Sequence, residues 1–280
     1  MINTVNPLAK YFRQPAIYIT LPSKGKFYPV NSINIPPSGE LPVFPMTAMD
    51  EIYARTPDSL FNGTSIVDVV KSCIPDIGDP WSIPSIDLNA ILAAIRLASY
   101  GAEMEISTQC PACTERSDFT VDLRTVLDNI GSPNYDSPLT IGDLTFYFGP
   151  TTYKQQTEIA LEQFESQKII EVVNSMEMDD AARAEQIGKA YRRIADITVS
   201  TVTKTIRAVK TPDAMVSEYA HIRGFLDNCT KDIWVAVRDY SIDLRNQSEI
   251  KPLNITCPNC QHQYEQSFTI NMSNFFEIAS

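Results

Sequence analysis

Positive charge and histidine are both scarce in this chain of 280 residues. It holds 23 Lys and Arg against 34 Asp and Glu, a formal net charge of −11. A large phosphate-binding surface needs clustered cations that release counterions, and here the basic residues are scattered. Arg192-Arg193 is the densest pair in its helical stretch, and a solvated helix face accounts for it. The two histidines, His221 and His262, leave an open catalytic metal site short of imidazole ligands. No segment approaches the roughly 18 apolar residues of a membrane helix, and Met1 to Gln14 holds no apolar stretch of signal-peptide length. The expectation is a protein made and kept in the cytoplasm. A glycine-rich phosphate loop, an HExxH helix, a GxSxG elbow and the kinase motif set are all missing, so the chain reads as no enzyme.

What is present is a chain with 44% hydrophobic residues, long enough for one elaborate domain or two lobes. Its most specific feature is a pair of similar segments. Cys110-Pro111-Ala112-Cys113 precedes Phe119-Thr120-Val121, and Cys257-Pro258-Asn259-Cys260 precedes Phe268-Thr269-Ile270. In a CPxC turn the proline fixes the backbone, and the amides after the first cysteine can turn back toward its sulfur. Two such turns supply four soft ligands for a tetrahedral, closed structural zinc site, with the alternating residues as flanking strands of a zinc ribbon. Cys110, Cys113, Cys257 and Cys260 are the candidate ligands of one Zn2+. By analogy with zinc fingers its binding would contribute folding energy on the order of 10–16 kcal/mol.

Other readings of these cysteines stand beside that one. Each CxxC could be a redox dithiol or a disulfide acting alone, although no thioredoxin-like strand-helix pattern surrounds either. His262, two positions after Cys260, could replace a cysteine ligand, or be a polar residue of the knuckle. His221 sits in a helical stretch as an ordinary surface or core histidine. Cys73 and Cys229 lie on apolar helical stripes and read as buried small hydrophobes. Asp179-Asp180 reads as a helix start rather than an acid–base pair, and Asp227 near Cys229 does not by itself make a catalytic thiol.

The fold expected is α+β and mostly helical. Helical lobes are joined by a small four-cysteine, zinc-ribbon-like β element, with an extended N-terminal arm. Residues 1–46 form the arm, punctuated by eight prolines from Pro7 to Pro45. A strand is expected over Ala16–Leu21, and a turn at Leu21–Tyr28 leads into an extended segment. The arm either wraps its own domain or lies across a neighbouring subunit. Residues 47–105 are a helical segment, with Thr47 capping a helix through Ala54, a stripe of Ile66, Val69, Val70 and Cys73, and a helix from Ser85 or Asp87 to Gly101. Residues 106–150 hold the first knuckle and a strand pair at 139–141 and 144–148. Residues 151–248 are a helical insertion. Its apolar spacing from Ala184 through Ile206 and Val209 predicts helix, and Thr211-Pro212-Asp213 predicts the start of another. Thr230 caps a last helix with Trp234 and Val237. Residues 249–280 carry the second knuckle and strand.

Several blocks resemble a known family. They are Met46-Thr47-Ala48-Met49-Asp50-Glu51-Ile52, then Arg55-Thr56-Pro57-Asp58-Ser59-Leu60-Phe61-Asn62-Gly63, then Asp87-Leu88-Asn89-Ala90-Ile91-Leu92-Ala93-Ala94-Ile95-Arg96 with Ala98-Ser99-Tyr100-Gly101 and the CPAC knuckle. Together they resemble the baseplate hub proteins of T-even-type contractile-tailed bacteriophages, over residues 16 to 123 and again at the second knuckle. The segment Leu21–Tyr28 is similar to an arm in such proteins. The resemblance implies a non-enzymatic tail component acting at the baseplate's centre and binding other hub, wedge or tape-measure proteins. It would be found in host cytoplasm during assembly and then in the virion tail. The alternative is a zinc-ribbon adaptor in transcription or nucleic-acid processing. That would need a basic face, for which Arg116, Arg124 and Lys251 are the nearby cations.

Overall fold

The computed structural model describes residues 8–54, 63–175 and 179–267. Its architecture is α+β, with about half of the described residues helical and four small, separate sheets among them. The chain forms two compact units. The first takes residues 1–80, 87–130 and 250–280, and the second takes 81–86 and 131–249.

In the first unit, β1 (Ile17–Ile19) pairs antiparallel with β2 (Leu41–Val43). Leu21, Leu41 and Val43 are buried, so this proline-rich stretch is packed onto its own unit. Between the strands the chain turns tightly, with Lys24 donating to the Leu21 carbonyl at 2.9 Å and Lys26 to that of Ser23 at 3.1 Å. Gly25 sits at φ 79°, where a Cβ would meet Ile35 Cδ1 at 2.2 Å. A side chain there would be strained by the positive φ and would have to displace the tip of Ile35.

Helix α1 (Ala48–Ala54) starts as the sequence predicts. Thr47 Oγ1 accepts from the Asp50 amide at 3.2 Å, and the Asp50 carboxylate accepts from the Thr47 amide at 2.7 Å. This is a reciprocal capping box. Helix α2 (Thr64–Cys73) buries Val67, Val69, Val70 and Cys73 and stops before Pro75. Helix α3 (Ser85–Tyr100) ends at Gly101, whose φ of 91° suits a left-handed cap. Its Ile91, Leu92, Ala94 and Ile95 are buried.

Two connections bind distant parts of this unit. The Arg13 guanidinium donates to the Pro45 and Ser72 carbonyls, to Ser72 Oγ and to the Asp50 carboxylate. The amide and hydroxyl of Ser23 both donate to Asp87, which is fully buried in the first turn of α3. Burial pushes the Asp87 carboxyl up to about 6, against the opposing pull of its bonds from Ser23.

After α3 come the hairpin β3 (Glu103–Gln109) and β4 (Arg116–Asp122), then α4 (Leu123–Asp128). The strand that follows the first knuckle ends at Asp122. Asp122 accepts from the Arg124 amide at 2.9 Å, so Leu123 opens a helix and is buried there. The block Arg55–Asn62 and the expected strand at Phe268–Ile270 lie outside the described residues.

The second unit holds the four-stranded antiparallel sheet β5-β6-β7-β8. β5 (Leu139–Ile141) and β6 (Leu144–Phe148) form the predicted hairpin. Helix α5 (Tyr153–Ser175) begins at a capping box that the sequence reading overlooked, with Thr152 and Gln155 bonding each other's amides. Helix α6 (Asp180–Thr205) is capped by Asp179, which accepts from the Ala182 amide at 3.4 Å. The β-branched run stays helical while Thr198, Thr201 and Thr203 return their hydroxyls to carbonyls four residues back.

The helix predicted through Val209 ends at Thr205 instead. Ile206 turns extended and begins β7 (Ile206–Lys210), which pairs with β6. Ile206 and Val209 are buried in both readings, so apolar spacing could not distinguish them; the free edge of β6 decided it. Thr211-Pro212-Asp213 also starts no helix. Thr211 Oγ1 accepts from the amides of Asp213 and Ala214, making a turn into β8 (Met215–Val216). Helix α7 (Tyr219–Asn228) follows, then α8 (Lys231–Ser248). The core of this unit includes a cluster of Phe146, Phe148, Val202, Ile222, Leu226 and Val237 with their neighbours.

The last elements return to the first unit as the hairpin β9 (Leu253–Thr256) and β10 (Gln263–Gln266).

Candidate metal centre

The four cysteines of the two CPxC turns meet in the first unit. Their sulfurs all lie within 4.8 Å of one another. Each turn sits at the tip of a hairpin, and the two are built by the same backbone bonds. In the first, the Cys110 amide donates to the Glu115 carbonyl at 2.9 Å and the Thr114 amide to the Cys110 carbonyl at 2.9 Å. In the second, the Cys257 amide donates to His262 at 2.9 Å and Gln261 to Cys257 at 3.0 Å. Thr114 and Gln261 both have φ 60°. The strand registers match as well, since Gln109 faces Arg116 where Thr256 faces Gln263.

Across the turns, Cys110 Sγ lies 3.7 Å from Cys260 Sγ, and Cys113 Sγ 3.6 Å from Cys257 Sγ. Four sulfurs at about 2.3 Å from a tetrahedral zinc would be about 3.8 Å apart. A disulfide would need about 2.05 Å. The spacing therefore fits thiolates around a metal and does not fit either knuckle bonded to the other.

The electrostatics point the same way. Backbone amides of Cys260 and Asn259 donate toward Cys257 and hold its thiol below the ordinary range, at about 7. Cys260 receives the His262 amide, yet the crowding of the other three sulfurs outweighs it and pushes that thiol up to about 12. Four sulfurs this close cannot all ionise without a cation among them. Asn259 Nδ2 also donates to Cys113 Sγ at 3.8 Å, a bond from the second knuckle to the first. Thr108 Oγ1, on β3, bonds Gln266 Oε1 of β10 at 2.6 Å, tying the hairpins together beside the sulfurs. Cys110 and Cys257 are buried, Cys113 is half-buried and Cys260 is exposed.

The remaining candidates lie elsewhere. His262 is exposed, and its ring stacks against Tyr264 with centroids 6.3 Å apart. His221 pairs with Glu218 on the exposed face of α7. Cys73 is fully buried, and burial with the nearby Asp50 pushes its thiol up to about 12. The Cys229 thiol is also raised, by burial, and donates to the Leu226 carbonyl. Asp227 is engaged by Arg223 rather than by Cys229. Neither lone cysteine is set up as a nucleophile.

Residues 37–277 match a protein family described as T4 bacteriophage base plate protein. The chain belongs to that family. The match reaches through both knuckles and both units, so the base plate family accounts for the helical region as well as the N-terminal blocks. Among curated proteins and among solved structures, no match to the chain was found. Membership makes this a phage tail base plate protein. Among the described residues, no helix is long and apolar enough to cross a membrane.

Proposed function

We propose that this chain is a non-enzymatic structural or assembly protein of the central hub region of a contractile tail's base plate. In this reading a structural zinc is held by Cys110, Cys113, Cys257 and Cys260. The family match over residues 37–277 carries the base plate part of the proposal. The hub position rests on the resemblance of the blocks between Met46 and Gly101. The zinc rests on the tetrahedral spacing of the four sulfurs.

Bound there, the metal would supply the crosslink that a ribbon of two short hairpins needs, since a two-stranded hairpin alone is marginal in water. The chain's own residues position it through the paired turns, the amides aimed at Cys257 and the Asn259 bond. Hub, wedge or tape-measure proteins are the partners. The host cytoplasm is the place of assembly and the virion tail the destination. Of the three cations a nucleic-acid adaptor would use, Arg124 is already paired with Asp122 at 2.8 Å.

Affinity capture of the tagged protein tests this reading, from phage-infected cells and from purified virions. Hub and wedge proteins recovered from both sources support a resident component, and recovery from cells alone supports an assembly factor. Capture of neither overturns the hub position.

A further inference from the structure

The distal part of the α5–α6 hairpin has too little core of its own. Among the described side chains between Leu161 and Ile194, only Ser166, Val173 and Ala190 are buried. Yet fifteen residues of α5 run from Leu161 to Ser175, roughly 20 Å of helix. Helices in proteins draw most of their stability from packing an apolar face, which this seam provides sparingly. Large apolar side chains stand outside it instead. Phe164, Ile169 and Val172 on α5 and Tyr191 on α6 are 39% to 61% exposed.

The two helices also differ in sign. From Leu161 to Ser175, α5 carries Glu162, Glu165 and Glu171 against Lys168. From Asp180 to Ala195, α6 carries Arg183, Lys189, Arg192 and Arg193 against Asp180 and Glu185. Within the chain this opposition is already used where Arg193 bonds Glu165 at 2.8 Å and, nearer the base of the hairpin, where Lys204 lies 3.8 Å from Glu158. Glu162, on the side of α5 that carries Ile169 and Val172, and Arg192 on α6 repeat the same signs, which suits pairing with a second hairpin. The seam of α6 steps through Arg183, Ile187, Ala190, Ile194, Ile197 and Thr201, alternating four and three residues as bundle helices do.

We propose that the α5–α6 hairpin is a self-association surface whose occupant is the same hairpin of a second copy of this chain. A twofold axis sets the acidic α5 of each copy against the basic α6 of the other, covers Ile169 and Val172, and completes a four-helix bundle. This inference is independent of the metal centre and of the hub position.

Light scattering on the eluting full-length protein provides the test. At micromolar concentration the expected mass is twice the 31.3 kDa of the chain. The double variant Ile169→Glu/Val172→Glu should weaken the dimer at least tenfold. Tyr18→Glu, at an exposed apolar residue of the first unit, should leave it unchanged. High salt should also weaken the wild-type dimer, since charge pairing sets its register. A monomeric wild type overturns the proposal, including one that binds a helix of some other tail protein. So does a dimer that survives the hairpin variant or is lost in Tyr18→Glu.

Discussion

Cys113 Sγ lies 3.6 Å from Cys257 Sγ, although 144 positions of sequence separate the two residues. Every element of the second unit from Leu139 to Ser248 is threaded between them. A metal bound there closes a very long loop, and such a closure restricts the unfolded chain strongly.

One zinc per chain is therefore expected by elemental analysis. Cys110→Ser and Cys257→Ser should lose it alike, because each removes one of four ligands from a single centre. Loss in one variant with full retention in the other would sink the shared site.

Asp87 predicts an unusual dependence on pH. Its folded carboxyl titrates near 6 instead of the ordinary 3.8, so the folded state binds this proton more tightly than the unfolded one. Its contribution to the stability of the first unit should then be fully present below pH 3.8 and be lost as pH rises through 6, a decline on the order of 2–3 kcal/mol. Urea titrations across that range, compared with Asp87→Asn, will isolate the effect. A slope unchanged in the variant would assign it to other groups.

Asp50 caps α1 through Thr47, accepts from Ser72 Oγ and faces the half-buried Arg13. Asp50→Ala should cost about 2–3 kcal/mol, from a lost cap and an uncompensated guanidinium. Chemical denaturation checks this. Asp50→Asn, which keeps one acceptor, should cost less.

Gly131→Ala should destabilise the second unit by at least about 1 kcal/mol, because the new Cβ would come within 2.1 Å of the Gln247 carbonyl oxygen. Backbone on both sides leaves no flexible side chain to yield. A wild-type thermal midpoint would contradict this packing.

The cysteine quartet was legible because CPxC is a local instruction, repeated with the same bonds in both turns. Thr47 and Asp179 were legible as caps for the same reason. What sequence could not convey were connections over distance, such as Ser23 to Asp87 and Arg13 to Ser72, where polar residues of ordinary type meet across 64 and 59 positions. The error at Ile206 is of a third kind. Its apolar spacing satisfied a helix, while pairing with β6 offered a strand, and only the sheet's presence separates the two. Thr211-Pro212-Asp213 failed because the same hydroxyl that caps a helix also closes a turn.

The position of the two CPxC turns also sets a clock. At the usual pace of synthesis, about 5–20 residues per second, a ribosome takes roughly 7 to 30 s to travel from Cys113 to Cys257. During that interval the nascent chain presents one CPxC pair, and residues 131–249 of the second unit emerge. The quartet can assemble only on a chain that has been translated through Cys260. A product that stops before Cys257 is thus left with a single CPxC pair and cannot complete the four-sulfur site.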